Sequence, residues 1–418
     1  MNRSKTPQTA PALPGKMWSR RAFLERTVSF AAASPLAPLA AAPSLPAPER
    51  SGDPPRAPTA IAFCKRYAYP EVRERLKHCL DLLGDVSRLV RGRHVTVKTN
   101  LVNTSREDLA GIPLWLTVTV HPTVAMALAS LLAEYGAREV LFCDQLPFRP
   151  LGSEAFAGYG FKLEEFRRVA KGRVRFLNTR NRGPYRDYAL VKVPDGGDLA
   201  TCWEVNRAYA DTDVLVSLAK LKDHVSAGMT AGMKNLFGLP PSSLYGDDLK
   251  DGPDEAAVGY RNATMHNCTR KPFTSVASFT NRSVRYDHGI NVPRFIVDLN
   301  AAFPIRLTVI DAISTIQTAE GWWNGAMTTA TRPGLLIAGR NPVCADAVAA
   351  AVMGYDPEAP DRTLPFVNGL NYLALARRRG LGENRLRRLE ILGVGLEEAR
   401  FEFRPTYRRI NPHKESRP

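Results

Sequence analysis

The sequence predicts an α/β fold: a largely parallel central sheet with helices on both faces and one long loop insertion. Three observations predict it. Short runs rich in Val, Ile, Leu and Phe alternate with segments of helical periodicity along most of the chain, the mark of parallel strands joined by helical crossovers. One run, V-L-V-S-L-A at residues 214–219, is nearly all apolar, as a strand buried on both faces must be. Several runs end in charged or amide side chains, and in an open parallel sheet ligands bind beyond the carboxyl ends of the strands.

In chain order, residues 60–64 read as a strand and residues 71–90 as an amphipathic helix, with Val72, Leu76, Leu80 and Leu83 at helical spacing. H-V-T-V-K at 94–98 is a second strand. Residues 123–135 form a helix stopped by Gly136, and E-V-L-F-C at 139–143 is a third strand. A helix at 163–169 and strands at 174–177 and 188–193 precede the central strand. Residues 239–290 then lose all period, with Pro240, Pro241 and many Gly, Asn and Ser; a stretch that long inside a compact domain reads as a lid-like insertion. Order returns with a helix at 295–303 and strands at 307–310 and 335–338. Asn341 as cap and Pro342 in the first turn start a helix that stops at Gly354. A helix over 366–379 and a strand at 389–392 complete a domain spanning 59–395, and residues 396–418 form a basic tail.

The 418 residues include 57 basic and 41 acidic ones, a formal charge of +16. Residues 1–42 hold only six of the basic residues and one acid, Glu25, so most of the excess belongs to the folded part. Such a balance favours anionic partners, although an Arg-rich proteome would give the same excess. Ser19-Arg20-Arg21-Ala22-Phe23-Leu24, followed by a weakly apolar Ala-rich stretch to residue 42, resembles a twin-arginine export signal. Pro35 and Pro38 interrupt that stretch, and no later run is long and apolar enough to span a bilayer. The expectation is therefore a periplasmic or secreted protein with no stable transmembrane anchor. It would have the twin-arginine translocase as its partner during export and no nucleic-acid partner. Residues 43–58 are a Pro-rich linker. The six cysteines contain no C-x-x-C pair, so an iron–sulfur cluster or cysteine-bound zinc has no sequence support. Cys64 and Cys143 read as core. Cys202 and Cys268 lie in loop-like surroundings, where an oxidising compartment would allow them to pair. Any cofactor or metal is unknown at this level.

The candidate site centres on residues 220–238, K-L-K-D-H-V-S-A-G-M-T-A-G-M-K-N-L-F-G. The strands before it reach Lys98 and Asn100, then Asp144, then Lys220 and Lys222, and the strand after it reaches Asp311. If these strands are neighbours, their ends share one cleft. Lys220 and Lys222, two apart, share a face if the strand runs that far, and an anion or a carboxylate would relieve their repulsion. Helical spacing over residues 227–237 puts Met229, Met233, Leu236 and Phe237 on one face and Thr230, Lys234 and Asn235 on another. Gly228 and Gly232 allow close approach, and N–H groups at that helix start would suit an anion. His224 is the acid/base or ligand candidate, and His266 and His288, in or beside the insertion, would join it on closure. Asp346 reads as a charge favourable to its own helix dipole. Neither a P-loop nor a strand-to-helix G-x-G-x-x-G is present.

With these residues the chain resembles the family catalogued as domain of unknown function 362. The resemblance rests on V-K-T-N-L (97–101), E-Y-G-A before Asp144, K-L-K-D-H (220–224), T-A-G-M-K-N-L-F-G (230–238), V-I-D-A-I (309–313) and N-P-V-C-A-D-A-V-A (341–349). It implies an α/β fold and a site near these motifs. It also implies a histidine after the Asn-Leu-Phe-Gly turn, here His266 or His288. Many members carry ferredoxin-like cysteine clusters, which this chain lacks. Three functional classes follow: an exported enzyme acting on a small anionic ligand, a non-catalytic periplasmic binding protein for an anionic metabolite or cofactor, and an envelope-associated structural protein. In the first, Lys220, Lys222 and Lys234 hold the anion, His224 serves as acid/base or metal ligand, and Asp311 orients it or helps bind a cation.

Overall fold

The computed structural model describes residues 52–102, 108–109, 112–113, 117–146, 151–181, 186–246, 261–266, 268, 287–317 and 329–404. The chain divides into two compact units, Met1–Ser44 and Leu45–Pro418, and everything described belongs to the second. The expected export signal, most of the linker, the middle of the insertion and most of the basic tail lie outside the described residues.

Eight described strands form the central sheet: β1 (Thr59–Phe63), β2 (His94–Lys98), β3 (Glu139–Asp144), β4 (Val174–Asn178), β5 (Val214–Lys220), β6 (Ile305–Ala312), β7 (Leu335–Gly339) and β8 (Ile391–Gly393). Their order is β8-β1-β7-β6-β5-β2-β3-β4. From β6 to β4 every pairing is parallel, as is β1 with β8. Only β7 runs against both of its neighbours. The reason lies in its connection: β6 passes into a small antiparallel ladder, Thr315–Gln317 with Thr329–Thr331, and then into β7. A return of that kind gives an antiparallel pair, whereas parallel neighbours need a crossover. Tyr188–Lys192 is a strand as expected, but it pairs with Cys202–Asn206 in a hairpin outside the central sheet.

Helices cover both faces. Along β5, Val214, Val216 and Leu218 pack into one apolar cluster, with α1 (Tyr69–Leu82), α2 (Pro122–Glu134) and α3 (Leu163–Val169). Leu215 and Ala219 pack into the other, with α4 (His288–Ala302), α5 (Pro342–Val352) and α6 (Tyr372–Arg378). This alternation is the two-residue period of a strand buried on both sides.

Several boundaries differ from the sequence expectation. The helix expected over 71–90 breaks after α1, because the backbone turns left-handed at Gly84 (φ 61°) and Asp85 (φ 48°), and resumes as the short Val86–Val90. α4 starts seven residues early, despite Pro293 within it. Asp287 caps it by accepting from the Ile290 N–H at 3.2 Å, and the Gly289 carbonyl that Pro293 leaves without a helical donor accepts from the Leu370 N–H at 2.9 Å. α6 is shorter than expected because Asn371 caps it, accepting from Leu373 and Ala374. Asn341 caps α5 as the sequence predicts, accepting from Val343 N at 2.9 Å and Cys344 N at 3.1 Å. All six cysteines are free thiols, Cys202 and Cys268 included.

Candidate functional site

The strand ends meet as the alternation predicts. β6, β5, β2 and β3 are consecutive in the sheet, so Asp311, Lys220, Lys98 and Asp144 line up across four carboxyl ends. All four are buried, and they form two closed ion pairs. The Lys98 amine donates to Asp144 Oδ1 at 2.7 Å, to the Thr99 carbonyl and to Asn235 Oδ1 at 3.4 Å. Asp144 also accepts from the Thr99 hydroxyl (3.0 Å) and from the backbone N–H groups of Leu101 and Gln145 (both 2.8 Å). Burial pushes the Lys98 amine down and the Asp144 carboxyl up, each opposed by its partner's charge. Each member's charge favours the charged form of the other, against burial.

The second pair extends into a network that the sequence did not suggest. Lys220 Nζ donates to Asp311 Oδ2 at 3.0 Å and to the Tyr67 hydroxyl at 2.9 Å. Tyr67 donates to Asp311 Oδ1 at 3.0 Å, and the Ser314 N–H donates to its oxygen at 3.1 Å. The His121 and Ile313 N–H groups complete the Asp311 shell. His121 lies flat on Tyr67, ring centroids 3.7 Å apart, and its Nδ1 accepts from the Thr123 N–H to cap α2. Burial brings the His121 imidazole down to about 4 and pushes the Lys220 amine down as well. The H-P-T sequence at the start of α2, with His121 as cap and Pro122 in the first turn, is the one local signal of this cap. Asn100 contributes by accepting the Lys220 N–H at 3.4 Å.

β5 stops at Lys220, so the two lysines do not stand side by side on one strand. Leu221 N–H donates to the Asp311 carbonyl, and a new hairpin begins, Lys222–His224 paired with Gly228–Thr230. Lys222 Nζ donates to the Val118 carbonyl at 3.1 Å. Lys222 lies opposite Thr230 and His224 opposite Gly228, so Lys222, His224 and Thr230 share one face of the hairpin. Asp223 takes the other face, where its carboxylate accepts from the Tyr355 hydroxyl at 2.7 Å.

The helix expected over 227–237 is therefore mostly absent. The backbone at Gly228 has φ 81°, which suits the hairpin's return strand and not a helix. Only Gly232–Asn235 is helical, followed by a 3-10 turn, Leu236–Gly238. Its first N–H groups are not an anion cradle: Gly232 N and Met233 N donate to Asp346, at 2.7 and 3.0 Å, and Tyr372 OH donates to the same carboxylate at 3.1 Å. Asp346 thus caps this segment from a different helix instead of serving its own dipole. A Cβ at Gly232 would lie 2.4 Å from Thr308 Cγ2, so only glycine lets the segment reach β6. On the opposite side Asn235 Nδ2 donates to the Lys98 carbonyl (3.0 Å), Ser217 Oγ (3.0 Å) and the Leu218 carbonyl (3.3 Å). Gln145 fixes the exit, donating to the carbonyls of Gly238 and Pro240.

Beyond this segment lies a cluster of cationic and titratable groups. Lys234 Nζ sits 4.7 Å from the centre of the Phe237 ring, with the Arg261 guanidinium 5.4 Å from the same ring. Phe237 meets His266 edge-on at 5.1 Å, and His266 lies 5.6 Å from His288. Burial first, then the charges of His288, Lys234, His224 and Arg261, hold the His266 imidazole well below its ordinary value. Thr230 Oγ1 and His266 Nδ1 are both buried with no hydrogen-bond partner among the described residues. His224 and both histidines named for closure are thus brought into one neighbourhood. Among the described residues no group of three or more His, Cys, Asp and Glu side chains is placed to hold a metal ion, and no helix is long and apolar enough to cross a membrane.

Among solved structures, the chain is similar to a Thermotoga maritima protein from the Northeast Structural Genomics Consortium (16% identity, TM-score 0.31, covering 62% of this chain and 52% of that one). It is also similar to the lactate racemase apoprotein from Thermoanaerobacterium thermosaccharolyticum (12% identity, TM-score 0.33, covering 66% and 54%). The chain spans about half the length of each. No curated protein matches the sequence. The family described as Domain of unknown function (DUF362) matches residues 95–351, from β2 into α5 and through every motif of the site, and the chain belongs to that family.

Proposed function

We propose that the protein is exported by the twin-arginine route and acts as an enzyme on a small anionic substrate held by Lys222, Thr230 and Lys234 beside His224, His266 and His288. The observation that carries this reading is a pair of buried polar atoms with no hydrogen-bond partner among the described residues. A buried hydroxyl or ring nitrogen with no hydrogen bond costs about 1–3 kcal/mol; the Thr230 hydroxyl stands on the hairpin face of Lys222 and His224, and His266 Nδ1 is acted on by His288, Lys234, His224 and Arg261. An oxyanion would satisfy both atoms and offset the charge. Imidazoles beside it suit proton transfer, which favours an enzyme over a passive binder. Lys98, Asn100, Asp144 and Asn235 form the floor that places the segment carrying Lys234. Asp311 would orient Lys220 and Tyr67.

The test is calorimetric titration of small oxyanions into the wild type and Thr230→Val. Valine matches threonine in shape and removes only the orphaned hydroxyl. The fold should keep its stability, while anion affinity falls about tenfold or more, as expected for one hydrogen bond to a charged group. Unchanged affinity would remove Thr230 from the site. Export is read separately: Arg20→Lys with Arg21→Lys should leave the chain unprocessed in the cytoplasm, and normal appearance in the periplasm would refute the route.

A further inference from the structure

His224 is not an ordinary imidazole. It ends the first strand of the hairpin, and the chain turns back on its ring, so that Ser226 N–H and Ala227 N–H both donate to Nδ1 at 3.1 Å. With two donors aimed at it, Nδ1 is a lone-pair nitrogen and the ring hydrogen belongs on Nε2. A second proton at Nδ1 would face both N–H groups. The N–H of His224 is therefore on Nε2, and the residue stands on the hairpin face that carries Lys222 and Thr230.

His266 has the opposite character. It ends the helical turn Asn262–His266, where Asn291 Nδ2 donates to its carbonyl at 2.8 Å, and its buried Nδ1 has no partner among the described residues. Among the described residues, the charged groups that bear on it come from four elements: His288 from α4, Lys234 from the short helix, His224 from the hairpin and Arg261 from its own turn. All of these are basic side chains. Burial first and then these charges keep its proton off, and an anion placed among them would give a protonated His266 both an acceptor and a counter-charge.

We propose that the two histidines divide the work of the site: His224 is a permanent Nε2–H donor to the bound anion, and His266 takes up a proton as the anion enters. This rests on the anion site proposed above. The pairing would let the site hold an oxyanion and carry a proton to it, with the donor and the proton carrier on separate side chains.

The experiment is calorimetric binding of sulfate and oxalate to the full chain at pH 7, in two buffers of different ionisation enthalpy. Both probes are fully ionised at that pH, so any proton uptake belongs to the protein. About one proton taken up per anion is expected in the wild type and close to none in His266→Gln. His224→Ala should weaken binding about tenfold or more and leave the uptake per bound anion unchanged. Binding with no proton uptake by the wild type would overturn the division of labour while leaving the anion site standing. No binding of either probe would overturn the anion site and this inference with it. A second wild-type measurement needs no variant: ring ¹⁵N spectra should show His224 with its proton on Nε2 alone from pH 5.5 to 8. A doubly protonated His224 in the anion complex would refute its role.

Discussion

Asp346→Asn tests whether burial or hydrogen bonding governs the carboxylate that caps the 232–235 segment. Asp346 is completely buried and accepts from Gly232 N, Met233 N and Tyr372 OH. Burial outweighs these three donors and raises its carboxyl from 3.8 to about 7. Below about pH 4 both folded and unfolded chains carry the proton, and above about pH 7 neither does. Between them the fold binds a proton that the unfolded chain has lost, so stability falls as pH rises, by about 2 kcal/mol between pH 5 and pH 7. Asparagine mimics the neutral acid and has no such slope. Urea denaturation of both proteins should therefore show the Asp346→Asn variant gaining about 2 kcal/mol on the wild type across that window. Taking the difference removes every other group that titrates in the same range. A difference that stays level, or one that moves in favour of the wild type, would mean that the three donors hold the carboxylate ionised and that the argument from burial is wrong.

The two ion pairs at the strand ends give the remaining predictions. Lys98→Met leaves Asp144 buried without its cation and should cost about 3–5 kcal/mol by urea denaturation, whereas Lys98→Met with Asp144→Leu should recover most of that loss. A single variant as stable as the wild type would show that the pair contributes nothing to the fold. Lys220→Met should behave in the same way against Asp311, with an added change in Tyr67, whose hydroxyl loses its Lys220 donor and whose ultraviolet titration would register the loss. An unchanged Tyr67 titration would refute that coupling.

Much of this geometry was legible in the sequence, and what escaped it has physical causes. The alternation of strands and helices placed Lys98, Asp144, Lys220 and Asp311 at one edge, because a side chain at the end of a parallel strand is fixed by the strand's register. Their partners were hidden. Tyr67 and His121 come from loops far away in sequence, and no local pattern links them to Lys220. Helical spacing over 227–237 was misleading, because hydrophobic residues at Met229, Met233 and Leu236 fit a short hairpin arm followed by one helical turn as well as a continuous helix. The cap from Asp346 could not be read because it joins segments over a hundred residues apart. The antiparallel course of β7 depends on the form of the connection before it, on which strand composition is silent.

The charges of the site fall into two kinds, and the separation has a consequence for how it would bind. Lys98 with Asp144 and Lys220 with Asp311 are closed inside the protein and offer no net charge to a ligand. The groups proposed above to meet an anion stand instead on the hairpin and on the segment from 232 to 238. That segment is held from opposite sides, by Asp346 through Gly232 and Met233 and by Asn235 through β2 and β5. Its position is therefore set by buried hydrogen bonds that exist before any ligand arrives. An anion meeting Thr230 and Lys234 would not have to order them first, and the cost of fixing side chains, about 0.5–1.5 kcal/mol each when they are mobile, is largely met by the fold. In the proposed site the buried ion pairs at the strand ends would contribute indirectly, by fixing the frame around the buried Thr230 hydroxyl, which has no hydrogen-bond partner among the described residues.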